Sequence, residues 1–424
     1  MHDYEASLEH DKAPTERVAF LLENLSGGGA ERVILELADG FSALGYTVDL
    51  LVCEARGVLL DSIPSRVNLV VLKPANQLTG LWAALGAPGG GHSAILSCVA
   101  AIRKIPRSMR FIPAIGDYLL RACPSVLLSA LPKSNIAAVL AQARAGVGTR
   151  IFVGAHVSMF LRSQQGLETG RGQAHHMIPL LRHCYSRAAG VVAVSEGVAA
   201  DAVSFLDVDP DRVHVVYNPI TVSGPIEEID EPPSHRWLLP GAAPVVLGIG
   251  RLVAQKNFPL LIEAFARARQ HADIRLIILG GDESSAEQMA RRKELLELAA
   301  GLGVGRDVDL AGYQSNPYHY LRAARMFVLS SDYEGFGNVI VEALLAGCPV
   351  VSSDCPSGPA EILDNGRYGF LTPVNDIEQL AAAIVTTLDT VPEPQKLRRR
   401  GLEFSRERAL EGYHQLFFGK PAIA

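Results

Sequence analysis

Residues 330–364 read SSDYEGFGNVIVEALLAGCPVVSSDCPSGPAEILD. The segment ahead of them, Met326-Phe327-Val328-Leu329, is apolar, short and uncharged, as a strand buried in a parallel sheet is. Glu334-Gly335-Phe336-Gly337 is then a breaker-rich turn, and in open α/β sheets ligands bind at turns on the carboxyl edge of the strands. Asn338 is placed to cap a helix through Val339, Ile340, Glu342, Ala343 and Leu345 to the stop signal Gly347-Cys348-Pro349. That leaves the backbone N–H groups of Gly337 to Val339 facing an anion. Val350-Val351-Ser352-Ser353 is the next strand. Glu334 lies in the turn and Glu342 about two turns into the helix, so both can face one crevice. Two carboxylates beside a helix N-terminus suit a ligand with a diphosphate in its middle and hydroxyls at both ends, as in a nucleotide sugar. A plainer reading fits the spacing equally: Glu334 complements the helix dipole and Glu342 is solvated.

The chain has 424 residues, 48% of them hydrophobic, with a mean hydropathy of +0.18. That length supports two full-sized cores. A net charge of −6 and a pI near 6.1 give no global attraction to nucleic acid. Cysteines 53, 98, 123, 184, 348 and 355 show no CxxC spacing and no secreted-scaffold density, which points to reduced thiols in a cytoplasm. No metal-ligand spacing is visible. The charged N-terminus, MHDYEASLEHDKAPTER, lacks an apolar core and reads as a disordered arm over 1–15 rather than a signal peptide.

Val18 to Leu22 reads as a first buried strand, followed by Gly27-Gly28-Gly29 and a helix over Ala30–Leu44 with apolar spacing at Val33, Ile34, Leu37 and Phe41. The loop lacks GxGxxG spacing and a GK[ST] ending, so neither a dinucleotide fingerprint nor a P-loop is supported. It can bring backbone close to a phosphate or simply serve as a tight turn. Val48–Val52, Val67–Leu72, Val126–Ala130, Arg150–Ala155, Gly190–Val194 and Val213–Val216 continue an alternation that predicts a doubly wound parallel sheet over 16–220. His156 falls just past the end of one strand, at the ligand edge, although an isolated histidine is more often structural.

Residues 74–102 contain no Asp, Glu, Lys or Arg and run straight into Arg103, Lys104, Arg107 and Arg110. Ala87-Pro88-Gly89-Gly90-Gly91 breaks the run, so neither half reaches the ~20 residues a bilayer requires. An apolar segment beside basic residues, over 81–110, fits a face resting on an anionic membrane; a loop and a helix folded on the sheet fit as well.

Residues 221–240, with several prolines and the acidic IEEIDEPP, read as a linker to a second α/β domain over 241–400. Its first strand, Val245–Ile249, leads into Arg251-Leu252-Val253-Ala254-Gln255-Lys256-Asn257-Phe258. An arginine and a lysine there are placed for a diphosphate, or are solvated loop cations.

GRLVAQKNF, LAGYQSNPY, SDYEGFGNVIVEALLAGCPVVSSDCPSGPAEIL and SGGGAERV together resemble the retaining GT-B-fold glycosyltransferases of the large family-four group, over nearly the whole chain. The resemblance implies two Rossmann-like domains facing across a cleft, with a last helix over 401–424 returning to the first. It implies that Arg251 and Lys256 hold the donor diphosphate and its developing charge, the role elsewhere given to a metal, so that neither metal nor cofactor is expected. Glu342 would bind the ribose and Glu334 the transferred sugar, with the backbone of Phe336, Gly337, Asn338 and Val339 around it. Gly312, Tyr313 and Gln314 would lie against the base. Gly28 would approach the phosphates and His156 the sugar. The implied activity is retaining transfer from a UDP-hexose or UDP-N-acetylhexosamine to a glycan or polyprenyl-linked acceptor, in cell-surface polysaccharide synthesis at the cytoplasmic face of a membrane. A GDP-mannose donor stays open, as does a GT-B-fold epimerase, though the GRL…K segment with the glutamate pair favours transfer. A silent nucleotide-sugar-binding module is the remaining alternative.

Overall fold

A computed structural model describes residues 16–89, 91–168, 175–221, 235–281, 285–314 and 316–419 of the chain. The expected arm over 1–15 and most of the linker lie outside these residues. Two parallel sheets organise the rest. The first contains β1 (Arg17–Leu22), β2 (Thr47–Val52), β3 (Asn68–Val71), β4 (Val126–Ala130), β5 (Arg150–Ala155), β6 (Gly190–Ala193) and β7 (Val213–Val215), in the order β3-β2-β1-β4-β5-β6-β7. The second contains β8 (Val245–Ile249), β9 (Arg275–Leu279), β10 (Val308–Gly312), β11 (Met326–Leu329), β12 (Val350–Ser353) and β13 (Phe370–Thr372), in the order β10-β9-β8-β11-β12-β13. Each is the α/β Rossmann-like sheet expected of the alternation.

The strands form because their residues tolerate burial on both faces. Every residue of β4, β11 and β12 is buried, and so is β1 beyond Arg17. Helices supply the crossovers that parallel strands need. Helix Phe258–Ala268 shows how one is held: Phe258, Leu261, Ile262 and Phe265 repeat at helical spacing and are buried in a cluster with Val246, Ile278 and Val328. One buried charge, Asp49 in β2, is fully engaged by Arg17 at 2.6 Å, the Tyr118 hydroxyl at 2.7 Å and Asn68 at 3.0 Å.

The strand order reverses between β1 and β4 and again between β8 and β11. Loops diverge from the sheet at such a reversal and leave a crevice at the carboxyl ends. By its contacts the chain divides into two compact units, Met1–Val153 with Pro179–Gly190, and Gly154–Ile178 with Val191–Ala424.

The described part of residues 74–111 contains two helices, Gln77–Leu85 and His92–Ile102, and a 3-10 turn, Arg107–Phe111. Ala83, Ala84, Ile95 and Cys98 face inward, while Leu78, Trp82 and Leu96 are well exposed. Among the described residues no helix is long and apolar enough to cross a membrane.

Candidate active site

The loops after β8 and β11 meet at the reversal of the second sheet. Along the first, Asn257 takes a left-handed conformation (φ 43°, ψ 49°), tolerable for asparagine, and caps helix Phe258–Ala268 through Leu260 N. The loops are then stitched together. Ser330 Oγ donates to Lys256 O (2.9 Å), Gln255 Nε2 to Tyr333 O (2.8 Å), Asp332 N to Gln255 O (2.9 Å) and Asn257 Nδ2 to Asp332 Oδ1 (2.7 Å). A Cβ at Gly250 would lie 3.1 Å from Lys256 Cε, so the lysine stem packs closely across this glycine.

The result is a nearly enclosed ion pair. Lys256 Nζ donates to Glu334 Oε1 at 2.6 Å, with side-chain exposures of 14% and 8%. Ser331 Oγ donates to the same oxygen at 2.6 Å. Oε2 of Glu334 accepts no hydrogen bond from the described residues, so the carboxylate keeps acceptor capacity beside an ammonium. That suits an edge-on sugar hydroxyl next to a phosphate. Burial pushes the Asp332 carboxyl up from its ordinary range, against the Asn257 hydrogen bond that lowers it.

The turn after Glu334 is built on glycine. A Cβ at Gly335 would stand 2.0 Å from His156 O, so the backbone of residue 156 packs directly on the turn. Gly337, at φ 100°, is the N-cap of helix Asn338–Ala346, with no side-chain cap. The expected cap by Asn338 does not form. Asn338 is the first helical residue, and its Oδ1 accepts from Asn218 Nδ2 at 2.7 Å instead. The uncapped N-terminus still presents its N–H groups to an anion. Phe336 sends its ring away into the core, stacked on Tyr217 at 5.3 Å and edge-on to Phe404 at 5.5 Å, so backbone is what it offers the turn. Val339 and Glu342, both partly buried, follow along the same helix. His156 is partly buried, and burial pushes its imidazole down to about 4, so it is neutral at pH 7.

Arg251 is exposed, close enough to Tyr333 to lower the phenol that burial has raised. Gly312 closes β10 at φ 74°, and its carbonyl accepts from Gly280 N at 2.8 Å. Tyr313 is half-exposed, and Gln314 Nε2 donates to Ala311 O at 3.0 Å. Beside Gly312 a small, open recess is lined by Leu252, Gly280, Gly281, Gln288 and Arg292. Sequence reading missed this recess, though Gly280-Gly281 directly after β9 was its visible signal; a Cβ at Gly280 would stand 2.1 Å from Gly250 O. Gly28 belongs to the other unit. There it is the N-cap of helix Gly29–Ala43, and the Glu31 carboxylate folds back until a Cβ at Gly28 would be 2.4 Å from its Oε2.

Two family models match this chain, Glycosyltransferase Family 4 over residues 27–223 and Glycosyl transferases group 1 over residues 233–404. The chain belongs to the family-four glycosyltransferases. Among curated relatives, an N-acetylgalactosamine-N,N'-diacetylbacillosaminyl-diphospho-undecaprenol 4-alpha-N-acetylgalactosaminyltransferase from Campylobacter jejuni is 30% identical over 54% of this chain and 58% of its own length. The lipopolysaccharide core biosynthesis glycosyltransferase LpsE of Rhizobium meliloti is 37% identical over 43% of this chain and 52% of its own. The matches therefore span little more than half of these relatives. The solved structure of Anabaena HepE in complex with UDP-glucose covers 94% of this chain and 98% of its own, with a TM-score of 0.71 at 18% identity, a likeness of fold. That fold is GT-B.

Proposed function

We propose that this member of the family transfers a sugar, with retention at the anomeric carbon, from a UDP-hexose or UDP-N-acetylhexosamine to a glycan or polyprenyl-linked acceptor of a cell-surface polysaccharide. The observation that carries the reading is the Lys256–Glu334–Ser331 contact at the β8/β11 reversal, directly before an uncapped helix N-terminus. Lys256 and the exposed Arg251 neutralise the donor diphosphate and the charge that builds on it as the sugar leaves, the work a metal does elsewhere. Glu334 accepts sugar hydroxyls through Oε2, Glu342 the ribose hydroxyls, and the N–H groups of Asn338 and Val339 face phosphate oxygens. His156, uncharged, is suited to a hydroxyl of the sugar rather than to a phosphate. The base is assigned to the Gly312–Gln314 segment beside the recess. The names of the Campylobacter relative and of the HepE complex support lipid-linked acceptors and uridine nucleotides as the first to try.

The site of action in this reading is the cytoplasmic face of a membrane. Leu78, Trp82 and Leu96 are exposed on uncharged helices, with Arg103 and Lys104 exposed beyond them. The other two cations are engaged within the protein, Arg107 with Glu54 at 2.5 Å and Arg110 with Ala75 O at 2.8 Å.

A thermal-shift panel of UDP- and GDP-sugars tests the donor, because a bound donor raises the unfolding midpoint with its concentration. A shift with GDP-mannose alone overturns the uridine assignment; no shift with any nucleotide sugar overturns the function. Transfer is expected to persist in excess chelator.

A further inference from the structure

Glu361 and Ser195 sit outside every role assigned above, yet they are linked to the turn that carries Glu334: Ser195 bonds it directly, and Glu361 bonds the start of the helix that Ser195 caps. Glu361 belongs to the short helix Pro359–Ile362, whose backbone is anchored by Arg400 Nη2 on Glu361 O (2.7 Å) and Arg400 Nε on Ile362 O (2.9 Å). Its carboxylate accepts two backbone N–H groups, Glu196 N on Oε2 at 2.9 Å and Gly197 N on Oε1 at 3.0 Å. These belong to the first turn of helix Glu196–Ser204, and they are donors a helix leaves open. Ser195, fully buried, is the side-chain N-cap of that helix: its Oγ accepts from Val198 N at 3.2 Å. With its lone pair so used, the hydroxyl hydrogen is directed outward, and it donates to Gly335 O at 2.6 Å. A Cβ at Gly197 would stand 2.9 Å from Ser357 Cα, and one at Gly358 1.7 Å from Phe336 O, so glycine is what lets these turns close on one another.

We infer that Glu361 and Ser195 are positioning residues for the Glu334 turn: Glu361 fixes the helix start, the helix start aims the Ser195 hydroxyl, and the hydroxyl holds the Gly335 carbonyl one residue from the Glu334 carboxylate. The role in turnover rests on the transferase reading proposed above; the positioning itself does not. Ser195 reaches the turn only at the Gly335 carbonyl and Glu361 reaches only the Glu196 and Gly197 N–H groups, so each acts through hydrogen bonds to backbone.

The experiment compares Glu361→Gln, which keeps size and loses one acceptor, Ser195→Ala, and the double variant. Amide hydrogen exchange over residues 332–339 is expected to quicken about tenfold in each single variant, although residue 361 is remote in sequence. kcat is expected to fall about tenfold, with the double variant no worse than Ser195→Ala because both act along one path. Ser195→Thr, which keeps the hydroxyl, should return exchange and kcat toward wild type. Lower melting points with unchanged exchange over 332–339 overturn the inference. So does a double variant whose losses multiply. If exchange quickens as expected while wild-type protein neither binds nor turns over any nucleotide sugar, positioning stands and the transferase reading falls. Should Ser195→Ala fail to fold, exchange in Glu361→Gln alone decides.

Discussion

Lys256 and Glu334 share one hydrogen bond in a nearly closed pocket, so removing either strands the other. Lys256→Ala and Glu334→Ala are each expected to lower turnover roughly 10²-fold or more, as lost electrostatic stabilisers do. Each should also cost about 3 kcal/mol of stability by leaving a buried charge unpaired. The double variant should regain part of that stability and none of the activity, a pattern that urea titration and steady-state rates separate. His156 gives a pH signature. Its folded pKa of about 4 lies below the ordinary 6.5, so the unfolded chain binds the extra proton between those values. Stability from this residue is present above about pH 6.5 and is lost as pH falls toward 4. His156→Asn should flatten that part of the stability profile relative to wild type. At this scale Lys256 and Glu334, which the fold brings into contact, were visible in the sequence as a cation and a carboxylate at strand ends. Ser331, Ser195 and Glu361 were not, because a hydroxyl or a lone acid shows its partner only after folding. Asn338 misled for a related reason: a glycine able to hold φ 100° took the cap position ahead of it.

The elements around the site depend on close approach at glycine. Gly335→Ala and Gly358→Ala would place a methyl 2.0 Å from His156 O and 1.7 Å from Phe336 O. Each is expected to destabilise by about 1–3 kcal/mol or more, read as a lower urea midpoint, and Gly335→Ala should also weaken donor binding because it displaces the turn. Phe265 is fully buried between helix Phe258–Ala268 and the second sheet. Phe265→Ala should cost about 3–5 kcal/mol without changing the KM of the surviving folded enzyme, since it lies in the core and not in the site. Helix and strand types were readable from periodicity and from full burial. The pair of short helices over 77–85 and 92–102 was less so, because uncharged apolar sequence looks alike in a helix, a strand or a membrane face.

For the whole molecule, the exposed Trp82 and Leu78 with Arg103 and Lys104 predict binding to phosphatidylglycerol vesicles and not to neutral ones. Trp82→Glu should abolish it, as measured by co-sedimentation, with soluble-acceptor turnover unchanged. Saturating nucleotide, at about 100 times its Kd, should add about 2.7 kcal/mol to unfolding stability. Strand and helix alternation, the two-sheet architecture and the presence of a cationic loop and a carboxylate turn all follow from local chemistry: where apolar runs repeat, where glycine breaks them, where charge falls at an edge. That Lys256 meets Glu334 across 78 residues of chain does not follow from any local pattern. It arises because β8 and β11 are neighbours at the reversal of the sheet, a pairing chosen by crossover geometry and shared burial. Tertiary packing likewise brought the Ser195 hydroxyl to the Gly335 carbonyl and the Glu361 carboxylate to the start of helix Glu196–Ser204, contacts between residues more than a hundred positions apart.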